Sequence, residues 1–170
     1  MRGVALWGAT DELLKAVDVL GAPIVKALLE KAAVPDDSPY TTGQIGPLGT
    51  LPSQEAMENC DTLLMVGTSF PYIEFLPKPG QARAVQIELD PARIGGRYPI
   101  EVGLVGDSRR TLAALLPLLQ HHGDRRFLED AQAGVVTAGP LGHRGASDSG
   151  QARADVLAVR HARIHGDGLP

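Results

Sequence analysis

CDTLLMVGTSFPYIEFLPKPGQARAVQIELDPARIGGRYPIEVGLVGD, residues 60–107, is the stretch that decides the fold. It holds three apolar runs, Thr62–Val66, Ala84–Leu89 and Gly103–Val105. Each ends abruptly at a turn: Gly67-Thr68-Ser69, Asp90-Pro91 and Gly106-Asp107. Short apolar runs bounded by turn residues read as strands covered on both faces, the pattern of a parallel sheet. In such sheets ligands lie outside the carboxyl ends of the strands, where these three turns fall. One stretch thus proposes an architecture and a place for a ligand.

Outward from it, the chain of 170 residues suits one domain with a sizeable core. Hydrophobic residues make up 44% and charged residues 21%, and aromatics only 4%, so Leu, Val, Ile and Ala must build the core. The formal net charge of −4, with no basic stripe, argues against a nucleic-acid partner. A lone cysteine, Cys60, excludes an internal disulfide and fits a reducing compartment. No apolar run reaches membrane-spanning length, and Val4–Trp7 is too short for the core of a signal peptide, so a cytoplasmic location is expected.

Val4–Trp7 reads as a short first strand, followed by a turn at Gly8-Ala9 and a helix capped by Thr10. In that helix Leu13, Leu14, Val17 and Leu20 recur at helical spacing. Gly21 and Pro23 end it, and Ile24-Val25 opens a strand. Leu28–Ala33 suggests a brief helical turn. A glycine-rich loop is expected over Thr41–Thr50, then a helix from about Pro52 to Asn59 with Thr50 as its cap. Ser108 or Asp107 caps a further helix through Leu119, and Arg125–Gln132 suggests a last short one. The expected fold class is α/β: a doubly wound, mainly parallel sheet flanked by helices, occupying residues 1–132. Residues 133–170 are poor in apolar side chains and read as a loose tail, with one marginal helix at Ala152–His161.

Several constellations could carry chemistry. Thr42–Thr50 places glycines at every third position (Gly43, Gly46, Gly49), matching neither the G-x-G-x-x-G fingerprint nor a P-loop. It is either a phosphate-approaching loop leading into a helix N-terminus or a plain solvent turn. Thr68, Ser69, Phe70, Pro71 and Tyr72 offer hydroxyls, amides and rings toward the crevice, or else simply wall packing. Glu88 and Asp90 close a strand where a carboxylate can take a ribose hydroxyl, whereas Asp90 before Pro91, and Asp107, also carry helix-cap signatures. The five histidines have no metal-ligand spacing, and no nucleophile is paired with a base.

These residues carry a resemblance. ATDELL (9–14), GAPIVKALLEKAAVPDDSPYTTGQIGPLGT (21–50), CDTLLMVGTSFPY (60–72), QIELDPARIG (86–95) and VGLVGDSRRTLAALLPLL (102–119) resemble the central domain of thiamine-diphosphate-dependent enzymes. The branch is that of pyruvate oxidase, quinone-linked pyruvate dehydrogenase and acetolactate synthase. The resemblance covers about Thr10 to Leu119 and implies a six-stranded, Rossmann-like parallel sheet holding FAD chiefly by its ADP half. Carried over by motif, the implied contacts are Thr42, Gly43, Gln44, Ile45, Thr68, Ser69, Phe70, Pro71, Tyr72, Glu88 and Asp107. Glu88 stands where flavin-binding members usually have Asp. Thiamine diphosphate and Mg2+ belong to other domains of the full-length relatives, so the implied role is a binding domain that is not catalytic alone. The implied partners are further thiamine-enzyme domains or copies of the same chain. An alternative is a structural, assembly domain with no cofactor, docking to thiamine-enzyme subunits.

Overall fold

The structure, a computed structural model, describes residues 8–27, 34–68, 70–138 and 155–159, with only the backbone of 137, 138 and 155–159. The first strand expected at Val4–Trp7, the turn at Leu28–Ala33 and Ser69 lie outside the described residues.

Helix α1 spans Thr10–Leu20. Ala9, not Thr10, is its N-cap, and no side chain caps it. Gly21 ends it in the left-handed region (φ 60°), with Gly21 N–H on Asp18 O and Ala22 N–H on Val17 O. Strand β1 is Ile24–Ala27 and β2 is Thr41–Ile45. The segment expected to be a glycine loop therefore begins as a strand. Helix α2, Leu51–Asn59, is capped by the Thr50 side chain with Pro52 in its first turn, as its sequence implies. Strands β3 (Thr62–Val66), β4 (Arg83–Glu88) and β5 (Val102–Val105) follow the three apolar runs. Helix α3, Ser108–Leu115, tightens into a 3-10 turn over Leu116–Leu118, where Pro117 stops the α-helix.

Helix α4 spans Arg126–Ala138, running past the boundary expected at residue 132. It packs on α2 and β2: Gln132 Nε2 donates to Thr41 O, and Gly134 lies against Pro52, whose Cγ would stand 3.3 Å from an added Cβ. Asp155–Val159 is strand β6, where a helix was expected. Its two partners, β1 and β3, lie far away in sequence, ending at Ala27 and Val66. No local periodicity announces such pairing.

The sheet order is β2-β1-β6-β3-β4-β5. Pairings β1–β2, β3–β4 and β4–β5 are parallel, while β6 runs antiparallel to both neighbours. Side chains alternate between two cores, one on each face, as the period of two requires. On the α1/α3 face Ile24, Val66 and Ile87 meet Leu13, Val17 and Leu112. On the other, Val25, Leu63, Met65 and Ala84 meet Ala56, Met57, Cys60 and Phe70. The central runs are thus buried on both faces. Strand β5 is not: it forms an edge, with Val102 and Val105 exposed.

Two buried polar groups lead to predictions. Lys26, in β1, is fully buried, and its ammonium donates to Val34 O and pairs with Asp36. Truncating Asp36 to Ala leaves a buried cation with one acceptor fewer. Thermal unfolding should show a loss of about 1–3 kcal/mol, and Lys26→Met in the same background should recover much of it. Burial pushes the Cys60 thiol up to about 12, with the nearby Asp61 charge adding to the shift. Because the folded value lies above the ordinary 9.0, Cys60 contributes stability that is complete below pH 9 and fades as pH rises toward 12. At pH 8 a thiol reagent should label the unfolded chain rapidly and the folded protein at least a hundredfold more slowly, on the order of the thiolate and access deficit.

Candidate functional site

Parallel pairing brings the carboxyl ends of β2, β3, β4 and β5 to one edge of the sheet. The chain steps from β1 outward to β2, then returns to β3 on the other side of the centre, so the order reverses between β1 and β3. A crevice at such a reversal is where open α/β sheets bind ligands. The start of α1 reaches the same edge. Arg109, in the first turn of α3, donates from Nε to Glu12 Oε1 at 3.2 Å, tying the two helix starts together. A backbone N–H at the helix start, followed by Arg109, holds the Glu12 carboxyl below the usual range despite partial burial.

Glu88 ends β4 and is only 6% exposed. Its Oε1 accepts from Leu89 N (2.9 Å) and Asp90 N (3.2 Å). Among the described residues its Oε2 is buried with no hydrogen-bond partner. A buried acceptor left unmade costs about 1–3 kcal/mol. The turns on either side close on β4 through backbone bonds: Gly67 N to Ile87 O (2.8 Å) and Gly106 N to Glu88 O (3.0 Å). Among the described residues Glu12 Oε2, at the start of α1, is a second carboxylate oxygen without a partner.

The other sequence-derived candidates divide. Thr42 is buried in β2, and its hydroxyl is spent on Ile24 O (3.2 Å) and Ser53 Oγ (2.9 Å). Gly43 lies in the left-handed half of the map (φ 110°), and a Cβ there would come within 2.6 Å of Thr50 Cγ2. Its glycine is required by the chain itself. Gln44 is half-buried and Ile45 belongs to the core. The turn proper is Gly46–Gly49, which meets the second loop: a Cβ on Gly46 would stand 3.5 Å from the Phe70 ring and 3.9 Å from Tyr72. Thr68 is buried, accepting from Phe70 N at 3.1 Å. Phe70 is a core ring, edge-on to Tyr72 at 5.6 Å, whereas Pro71 and Tyr72 are exposed. Asp90 and Asp107 cap, accepting from Ala92 N and Arg110 N respectively.

Sequence reasoning passed over Gln86. It is buried in β4, donates from Nε2 to Thr68 O (3.1 Å) and accepts at Oε1 from Gly95 N (3.0 Å). One side chain thus holds the loops after β3 and β4 in register. A glutamine inside the apolar run Ala84–Leu89 was the available signal. Among the described residues no group of three His, Cys, Asp or Glu could hold a metal ion, and no helix is long and apolar enough to cross a membrane.

The strand order, with helices on both faces of the sheet, defines a doubly wound α/β domain. The chain belongs to the thiamine pyrophosphate enzyme central-domain family, which it matches over residues 2–115. It is 46% identical over 128 residues to YdaP of Bacillus subtilis, described as a thiamine pyrophosphate-containing protein, covering 75% of this chain and 22% of that one. It is 30% identical over 126 residues to an acetolactate synthase of Mycobacterium bovis, covering 71% of this chain and 20% of the synthase. An X-ray structure of a Mycobacterium smegmatis enzyme, described as thiamin diphosphate-dependent, superposes with a TM-score of 0.55 at 30% identity. That superposition covers 69% of this chain and 23% of the enzyme. The chain therefore spans about a fifth of the length of these relatives.

Proposed function

We propose that this central domain serves a thiamine-diphosphate-dependent 2-oxo-acid enzyme of the pyruvate oxidase or acetolactate synthase type by binding the ADP part of FAD. Its contribution is binding rather than catalysis. The observation that carries this reading is Glu88 Oε2, a buried acceptor at the carboxyl end of β4 with no partner among the described residues, of the kind that suits a ribose hydroxyl. The start of α1, where no side chain caps the helix, supplies backbone N–H groups of the kind that receive a pyrophosphate. Tyr72 offers an exposed ring at the Gly46 turn. Flavin, when bound, supplies redox chemistry; this chain's residues would hold and orient its nucleotide half.

The reading extends to the remaining expectations: a cytoplasmic protein, assembled with copies of itself or with other thiamine-enzyme domains that carry thiamine diphosphate and Mg2+. A second reading, an assembly domain without cofactor, draws on a different observation. The side chains of Thr42, Thr68, Asp90 and Asp107 are all engaged within the chain. An absorbance spectrum of the purified protein separates the two. Flavin bands, with flavin released on denaturation, support the first reading; a colourless protein that also fails to take up added FAD supports the second.

A further inference from the structure

We propose that Gln86 is the positioning residue for the Glu88 carboxylate: its amide locks the turn after β3 and the segment 89–95 into one unit. Nucleotide affinity is then set by a side chain that touches no nucleotide. The inference rests on the reading of Glu88 as the ribose acceptor and adds what holds that acceptor in place.

The first ground is the bonding of β4. Gln86 and Glu88 are two residues apart in the strand and project from the same face of the sheet, and both are buried. They grip the segment 89–95 at opposite ends. Glu88 Oε1 accepts from Leu89 N and Asp90 N at the near end. At the far end Gln86 Oε1 accepts from Gly95 N at 3.0 Å, and Gln86 Nε2 donates to Arg93 O at 3.4 Å. The same Nε2 donates to Thr68 O at 3.1 Å, across to the turn after β3. A carboxamide has two N–H donors, and here two carbonyls take them, so none is left for a ligand. Freeing the far end of the segment loosens the near end, whose N–H groups fix the Glu88 carboxylate and therefore the direction of Oε2.

The second ground is Gly103 in β5, the register partner of Gln86. A Cβ at Gly103 would stand 2.6 Å from Ile94 Cγ2. Gly103 is not among the glycines with positive φ, so the strand backbone there would accept another residue. What the glycine supplies is space. Ile94 settles over β5 in that space, and its neighbours Arg93 and Gly95 come down to the Gln86 amide.

Calorimetric titration of ADP into the full chain, native and in three variants, tests this. Gln86→Leu removes both donors and the acceptor, and ADP should bind at least about tenfold more weakly. Gln86→Glu keeps the acceptor for Gly95 N but turns a charged oxygen toward Thr68 O and Arg93 O. Burial and the neighbouring Glu88 raise the pKa of the introduced carboxyl, and once protonated it donates again. This variant should bind ADP as weakly as Gln86→Leu at about pH 8, and recover several-fold at about pH 5.5 relative to native protein at the same pH. Gly103→Val leaves the amide untouched but displaces Ile94, and should weaken ADP several-fold. If Gln86→Leu does not fold, the other two variants decide. Native-like affinity in the Gln86 variants at about pH 8, with only thermal stability reduced, marks a purely structural glutamine and overturns the proposal. Native protein that binds no ADP overturns the reading of Glu88 itself and the positioning role with it, so the two failures are told apart.

Discussion

Gly43→Val should destabilise the protein by about 3 kcal/mol, read as a lowered midpoint in denaturant or heat. Two costs combine. Valine is β-branched and would have to sit at φ 110°, a strain of about 1–3 kcal/mol. Its Cβ would also collide with Thr50 Cγ2 at 2.6 Å and Oγ1 at 2.8 Å. Thr50 cannot simply swing aside, because its hydroxyl donates to Thr42 O at 2.7 Å, contacts Ser53 Oγ at 2.9 Å and caps α2. The variant therefore disrupts the joint between β2 and α2, in addition to any effect on a ligand. A double-mutant cycle checks the mechanism. Thr50→Ala alone costs about 1 kcal/mol as a lost cap, but in the Gly43→Val background it should cost less or even stabilise, because the colliding atoms are gone. Strict additivity would place the origin of the loss elsewhere.

Glu88→Gln carries the second large effect, with opposite signs in the free and bound protein. Without ligand the substitution replaces a buried carboxylate oxygen that has no partner, so stability should stay level or rise slightly. With ADP, the acceptor for the ribose hydroxyl becomes a neutral amide, and a charge-assisted bond worth about 1.5–3 kcal/mol is lost in part. Binding should weaken about tenfold. A purely structural Glu88 predicts another pattern: lower stability from disturbed contacts to Leu89 N and Asp90 N, and no change in nucleotide affinity.

The strands after residue 60 were legible because their apolar runs stop at glycine or Asp-Pro turns, and the cap of α2 because Thr50 precedes Pro52. The place of Glu88 at a strand end was legible for a related reason, a carboxylate closing an apolar run. What stayed hidden depends on contacts distant in sequence or on geometry. Thr41–Ile45 contains a glycine and three polar residues, so only its pairing with β1 makes it a strand. Strand β6 is fixed by partners beginning at Ile24 and Thr62. The glycine at position 43 answers to the Thr50 side chain, which no spacing rule encodes. Phe70, offered as a ring to flank a ligand, is instead sealed in the core by Met57, Leu63 and their neighbours, leaving Tyr72 as the exposed aromatic.

Calorimetric titration of ADP and of FAD into the native protein and into Glu88→Gln tests the central claim most directly. The protein should first be unfolded and refolded to strip any retained cofactor. The account predicts that both ligands bind the native chain with affinities of the same order, since the adenine half carries the interaction, and that both weaken about tenfold in the variant. Absence of binding by either ligand to the refolded native protein, or equal affinities in native and variant, would contradict it.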